Sequence, residues 1–170
     1  MKHIIFAMLI CFTFSIQSLA HDIPAPKISK NFEGLKGLLG TWEGTTKMDG
    51  KDQPATVTYE LTSGGTAIAE KLMPGTPHEM LTVYANRGDQ VEVTHYCMIG
   101  NQPQMKLKSA GNGVYDFEMV GTKGISDKNE MHMHGIKLTL DGDKLKQEWT
   151  NYNKGKKAEV AVFEFKKKIN

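Results

Sequence analysis

From residue 40 onward, short stretches of alternating apolar and polar residues are cut by turn signals at close, regular intervals. Alternation with a period of two puts successive side chains on opposite faces of an extended chain. Thr41–Met48 ends at Asp49-Gly50, Ala55–Thr62 at Ser63-Gly64-Gly65, and Thr66–Met73 at Pro74-Gly75-Thr76-Pro77. His78–Ala85, Val91–Met98, Gln104–Ser109 and Val114–Val120 follow, each bounded by Gly or Asn. Glu130–Leu140 and Lys144–Tyr152 flank Asp141-Gly142-Asp143, a strong hairpin signal, and Lys157–Phe165 closes the series. About ten strands so spaced predict an all-β fold, a single antiparallel up-and-down barrel. Closure removes the edge strands that would otherwise recruit other chains.

One segment breaks the pattern. Phe32, Leu35, Leu38 and Leu39 sit at helical spacing and stop at Gly40. Ser29 or Asn31 can cap that turn. The expectation is a short N-terminal helix closing one end of the barrel, with the strand carrying Trp42 directly after it.

Residues 1–20 read as a secretory signal: Lys2, an apolar run from Ile4 to Phe14, and Ser18-Leu19-Ala20 as a small-residue cleavage site. The run is too short for a transmembrane span of roughly 20 residues. Ile10 before Cys11 argues against a lipoprotein. Residues 21–30, with Pro24 and Pro26, form an extended leader, and 31–170 the barrel domain. The expected location is periplasmic or secreted, with no transmembrane span in the mature chain. Without Lys2, 20 of the 21 Lys and Arg residues balance 19 Asp and Glu, and no basic stripe apart from Lys166–Lys168 at the very end, read as a solvated tail, invites nucleic acid. Only Cys97 remains after cleavage, so no internal disulfide is expected. Burial is the commonest fate of such a thiol.

Gly40-Thr41-Trp42 after a helical turn resembles the calycin superfamily of lipocalins, fatty-acid-binding proteins and nitrobindin-like barrels. Gly64-Gly65-Thr66-Ala67, Glu70, Pro74 to Met80, Thr94-His95-Tyr96-Cys97 and Gly100-Asn101-Gln102-Pro103 look like those of an uncharacterised family of exported bacterial lipocalin-like proteins. The resemblance implies that Trp42 packs across the barrel base beneath the helix. It brings no established activity. The arginine that usually accompanies this tryptophan from the last strand is absent: the only arginine is Arg87, in a turn.

Parity singles out several polar side chains. His95 and Cys97 continue the face of Val91 and Val93, while His132 and His134 continue that of Ile136, Leu138 and Leu140. Without bulges, these four point inward, and three imidazoles with a thiolate suit zinc, copper(I) or, through one histidine, haem. Gly135 is a natural bulge site that would turn His132 and His134 outward. Glu70 lies on the parity of Ile68 and Leu72. If that register holds it is buried and needs a partner; in the reverse register it meets water. His78-Glu79-Met80 follows a proline-fixed loop and reads as a mouth contact or a rigid connection. Eight of the ten methionines lie beyond the signal segment, Met48, Met73, Met80, Met98, Met105, Met119, Met131 and Met133, and favour a deformable apolar lining.

No nucleophile elbow, phosphate loop or Cys-x-x-Cys is present, so an enzyme is not expected. The sequence points to a non-catalytic, exported lipocalin-like barrel. It would hold a small hydrophobic ligand with Trp42, Tyr59, Glu70, His95, Tyr115, Phe117 and Trp149 as candidate contacts. Two alternatives remain: a haem- or metal-binding barrel using His95, Cys97, His132 and His134, and a cell-envelope interaction protein without ligand. Neither ligand, cofactor nor oligomeric state is named by the residues.

Overall fold

The structure, a computed structural model, describes residues 24–48 and 50–169. The expected signal segment and the first three leader residues lie outside them.

Helix α1, Lys30–Leu35, begins where Ser29 Oγ accepts the Phe32 amide at 3.2 Å, so Ser29 is the cap. A 3-10 turn, Lys36–Leu38, carries the chain to Gly40, whose φ of +112° makes glycine the fitting residue there. Phe32, Leu35 and Leu38 are fully buried in the barrel core. Gly34 lies so close to the Tyr115 hydroxyl that a Cβ would collide with it.

Ten strands follow: β1 Gly40–Met48, β2 Lys51–Thr62, β3 Ala67–Leu72, β4 Met80–Arg87, β5 Gln90–Tyr96, β6 Gln104–Gly111, β7 Val114–Met119, β8 His132–Asp141, β9 Lys144–Asn153 and β10 Lys156–Lys167. Each pairs antiparallel with its sequence neighbours, and β10 returns to β1, giving a closed barrel. The closing seam runs from Trp42 opposite Lys167 to Thr46 opposite Phe163. At its middle, Gly44 presses against the Glu164 carbonyl and the Phe165 backbone, where any side chain would push the two strands apart.

The inward faces carry what alternation demands. Trp42, Val57, Tyr59, Ile68, Leu72, Tyr84, Val91, Val93, Met105, Phe117, Ile136, Leu138, Leu145 and Trp149 are all buried, in one core cluster with the helix. Each large apolar side chain so buried contributes roughly 1.5–3 kcal/mol, which lets the barrel stand without a disulfide. Among the described residues, Cys97 is the free cysteine and no helix is long and apolar enough to cross a membrane.

Three pairings slip register, in β6/β7, β8/β9 and β9/β10. The second decides the fate of two histidines. Met133 faces Asn151, but Gly135 faces Thr150, so the extra residue is His134. The expected continuity of His132 and His134 with Ile136 therefore fails. Ile136 stays inside opposite Trp149, while His132 pairs with outward-facing Tyr152, and His134 joins Tyr152 in a groove on the outer wall. Gly135 allows the bulge because a Cβ there would press on the Phe117 carbonyl at 2.7 Å.

Candidate functional site

A polar cluster sits inside the apolar barrel. Strand β3 holds the register Ile68, Glu70, Leu72 inward, so Glu70 is fully buried. Its neighbours across β2 and β4 are Tyr59 and Thr82. Thr82 Oγ1 donates to Glu70 Oε1 at 3.2 Å and the Tyr84 hydroxyl donates to Oε2 at 2.7 Å. Gln147 Nε2, from β9 on the far side, lies 3.3 Å from Oε2 and 2.5 Å from the Tyr59 oxygen. Trp149 Nε1 in turn donates to Gln147 Oε1 at 3.1 Å, which fixes the orientation of that amide. The network answers the need of a buried carboxylate for partners.

His95 extends the cluster. Its Nδ1 is 2.9 Å from Thr82 Oγ1, its ring lies 4.4 Å from that of Trp149, and the residue is 0% exposed. Its Nε2 is buried and has no hydrogen-bond partner among the described residues. Burial raises the Glu70 carboxyl from 4.5 to about 7, against the lowering effect of the hydroxyls of Tyr84, Tyr59 and Thr82. Burial lowers His95 from 6.5 to about 4, so the ring is neutral at neutral pH. Tyr59 and Tyr84 are pushed upward by burial and then by the charge of Glu70, and both stay protonated donors.

Between this cluster and the end of the barrel opposite α1 lies a layer of flexible side chains. Met48 ends β1, Met80 opens β4, Met119 ends β7 and Met133 is second on β8, while Met73 and Cys97 just follow β3 and β5. All pack against the core, with Met73 and Met80 buried. Burial raises the Cys97 thiol, which makes it a packing group rather than a reactive one. Unbranched thioethers repack at little cost, so this layer is deformable.

The candidate contacts divide. Tyr59, Glu70, His95 and Trp149 come together. Trp42 and Tyr115 are at the helix end instead: Trp42 Nε1 donates to the Leu38 carbonyl at 2.6 Å, and Tyr115 lies against Gly34. Phe117 packs edge-on to Tyr84 at 5.7 Å and adds apolar wall. The proposed metal set is not brought together. His95 is inside, β5 and β8 are separated by β6 and β7, and His132 and His134 face outward. Among the described residues no three His, Cys, Asp or Glu side chains are grouped to hold a metal ion. His132 Nε2 meets His134 Nδ1 at 3.1 Å and its Nδ1 meets the Glu130 carbonyl at 2.8 Å, while His134 stacks on Tyr152 at 3.8 Å. His78 and Glu79 belong to the loop after β3, where Glu79 accepts the Gly75 amide at 2.6 Å and so ties the turn.

No protein-family model and no curated protein matches the chain. Among solved structures, the fold is similar to that in the crystal structure of Rv2717c from M. tuberculosis. The TM-score is 0.56 at 14% identity, over 84% of this chain and 100% of that one. At that identity the likeness speaks for the barrel alone.

Thr82, Tyr84 and Gln147 were not among the expected site residues. Each sits on an inward parity between apolar neighbours: Met80, Thr82, Tyr84 on β4, and Leu145, Gln147, Trp149 on β9. A polar residue in such a place is the signal that finds them.

Proposed function

We propose that this chain is an exported, non-catalytic lipocalin-like barrel that binds a small, mostly apolar ligand. The observation that supports the reading is His95 Nε2, a buried polar atom without partner beside an otherwise satisfied network. Leaving such an atom unpaired costs about 1–3 kcal/mol, which a ligand's polar end would recover. The adaptable methionines at the end opposite α1 give an apolar body its way in. Binding sites of this kind are mostly apolar with few orienting polar groups.

Native mass spectrometry with an absorbance spectrum, on protein purified from its own exported compartment, tests the reading. An organic adduct of small-molecule mass that disappears in His95→Ala supports it. A clean protein mass, together with no response of Trp149 fluorescence to apolar probes in a Trp42→Phe background, rejects it. A Soret band would instead favour haem, for which His95 offers a single nitrogen.

A further inference from the structure

The hydrogen-bond chain from Glu70 to His95 has a direction. Glu70 is met by donors: the Thr82 and Tyr84 hydroxyls and the Gln147 amide reach its two oxygens. Three donors around one carboxyl leave its oxygens acting as acceptors, the pattern of the ionised form. Thr82 has a single hydroxyl proton. Spent on Glu70, it leaves the Thr82 oxygen to accept from His95, 2.9 Å away. His95 then carries its proton on Nδ1, and Nε2 presents a lone pair. Among the described residues, no lysine, arginine or further carboxylate belongs to the cluster. Its polar members, from every strand that faces Glu70 and His95, are Tyr59, Thr82, Tyr84, Gln147 and Trp149.

We infer that the interior site selects apolar ligands by a hydrogen-bond-donating head group, a hydroxyl above all, received at His95 Nε2, and discriminates against carboxylates. This deepens the binding reading above and rests on it. A carboxylate brought to that nitrogen would set lone pair against lone pair, with the Glu70 charge one hydroxyl away and no cation to offset either. The only arginine, Arg87, ion-pairs with Glu92 at 3.4 Å on the exposed surface. Thr82 is the positioning residue: it touches no ligand and acts by fixing which nitrogen holds the proton.

Three probes of equal chain length separate the possibilities: 1-decanol, methyl decyl ether and decanoate, titrated at pH 8 into the Trp42→Phe protein with Trp149 fluorescence as readout. One hydrogen bond to the buried nitrogen gives decanol an advantage of about tenfold over the ether, and decanoate binds more weakly still. Decanoate or the ether binding as tightly as decanol overturns the inference and leaves the binding reading standing. No response to any of the three overturns the binding reading and the inference with it. Thr82→Val keeps the shape, removes the relay and narrows the preference for decanol over decanoate; an unchanged preference overturns the role of Thr82. Long-range proton–nitrogen NMR of the His95 ring in the unsubstituted protein gives an independent check. A proton on Nδ1 supports the assignment, and a proton on Nε2 overturns it.

Discussion

Thr82 Oγ1 lies 2.9 Å from His95 Nδ1 and joins, through one hydroxyl, the two interior groups whose protonation burial shifts in opposite directions. The fold holds the Glu70 proton more tightly than the unfolded chain does. That contribution is fully present below pH 4.5 and is lost as pH rises through about 7. For His95 the unfolded chain holds the proton more tightly. Its contribution is present above pH 6.5 and lost as pH falls through about 4. Between pH 4.5 and 6.5 the two slopes oppose and largely cancel. Glu70→Gln leaves His95 alone, so relative to wild type its stability should climb with pH across that window. The limiting slope is about 1.4 kcal/mol per pH unit. Urea denaturation at half-unit pH steps measures this. A Glu70→Gln slope equal to that of wild type would show that the two groups do not oppose one another.

His134 makes a second titration. Desolvation lowers its pKa first, the neighbouring His132 lowers it further, and Glu118 opposes both. His132→Asn should therefore raise the His134 midpoint, and Glu118→Gln should lower it. Proton NMR of the histidine ring signals reads both changes, and opposite signs from the two variants are the expected result.

The barrel was legible because alternation and turn chemistry are local. Ten strands were expected where ten are found, with ends differing by a few residues, as between Ala55–Thr62 and the longer Lys51–Thr62. Long-range geometry was not legible. Parity carried His95 to the interior but left two registers open for Glu70, of which the inward one is found; Gly135 marked a possible bulge on β8, but only the pairing with β9 shows that the bulge forms and turns His132 and His134 outward. Which strands meet across the lumen is set by closure and tilt, which leave no mark on any single strand. Nothing local therefore told that Gln147 reaches Tyr59 from the far side.

Trp42 gives a third test. Its Nε1 donates to the Leu38 carbonyl, and Lys167, its partner in register on β10, holds Nζ 5.1 Å from the ring centre. Lysine thus stands where the resemblance implied arginine. Trp42→Phe leaves the buried Leu38 carbonyl unpaired and should cost about 1–3 kcal/mol. Lys167→Ala should cost about 0.5–1 kcal/mol, and Lys167→Arg close to nothing. Urea midpoints order the three. A Lys167→Ala loss as large as that of Trp42→Phe would mean that the lysine does more than cover the ring.

Gly44 tests the closing seam itself. A Cβ at this position would meet the Glu164 carbonyl carbon and the Phe165 Cα, each at 2.8 Å, and both belong to backbone that cannot rotate away. The strain must be relieved by parting β1 from β10, the pairing that turns a ten-stranded sheet into a barrel. Gly44→Ala should therefore destabilise by about 1–3 kcal/mol or more, the usual cost of forced overpacking. Hydrogen exchange distinguishes the mechanism from a general loss of stability. Amides of Thr45 and Glu164, which face each other across the seam, should lose protection first, while those of Val83 and Thr94 in the β4/β5 pairing keep it. Uniform loss across both pairings would place the weak point elsewhere.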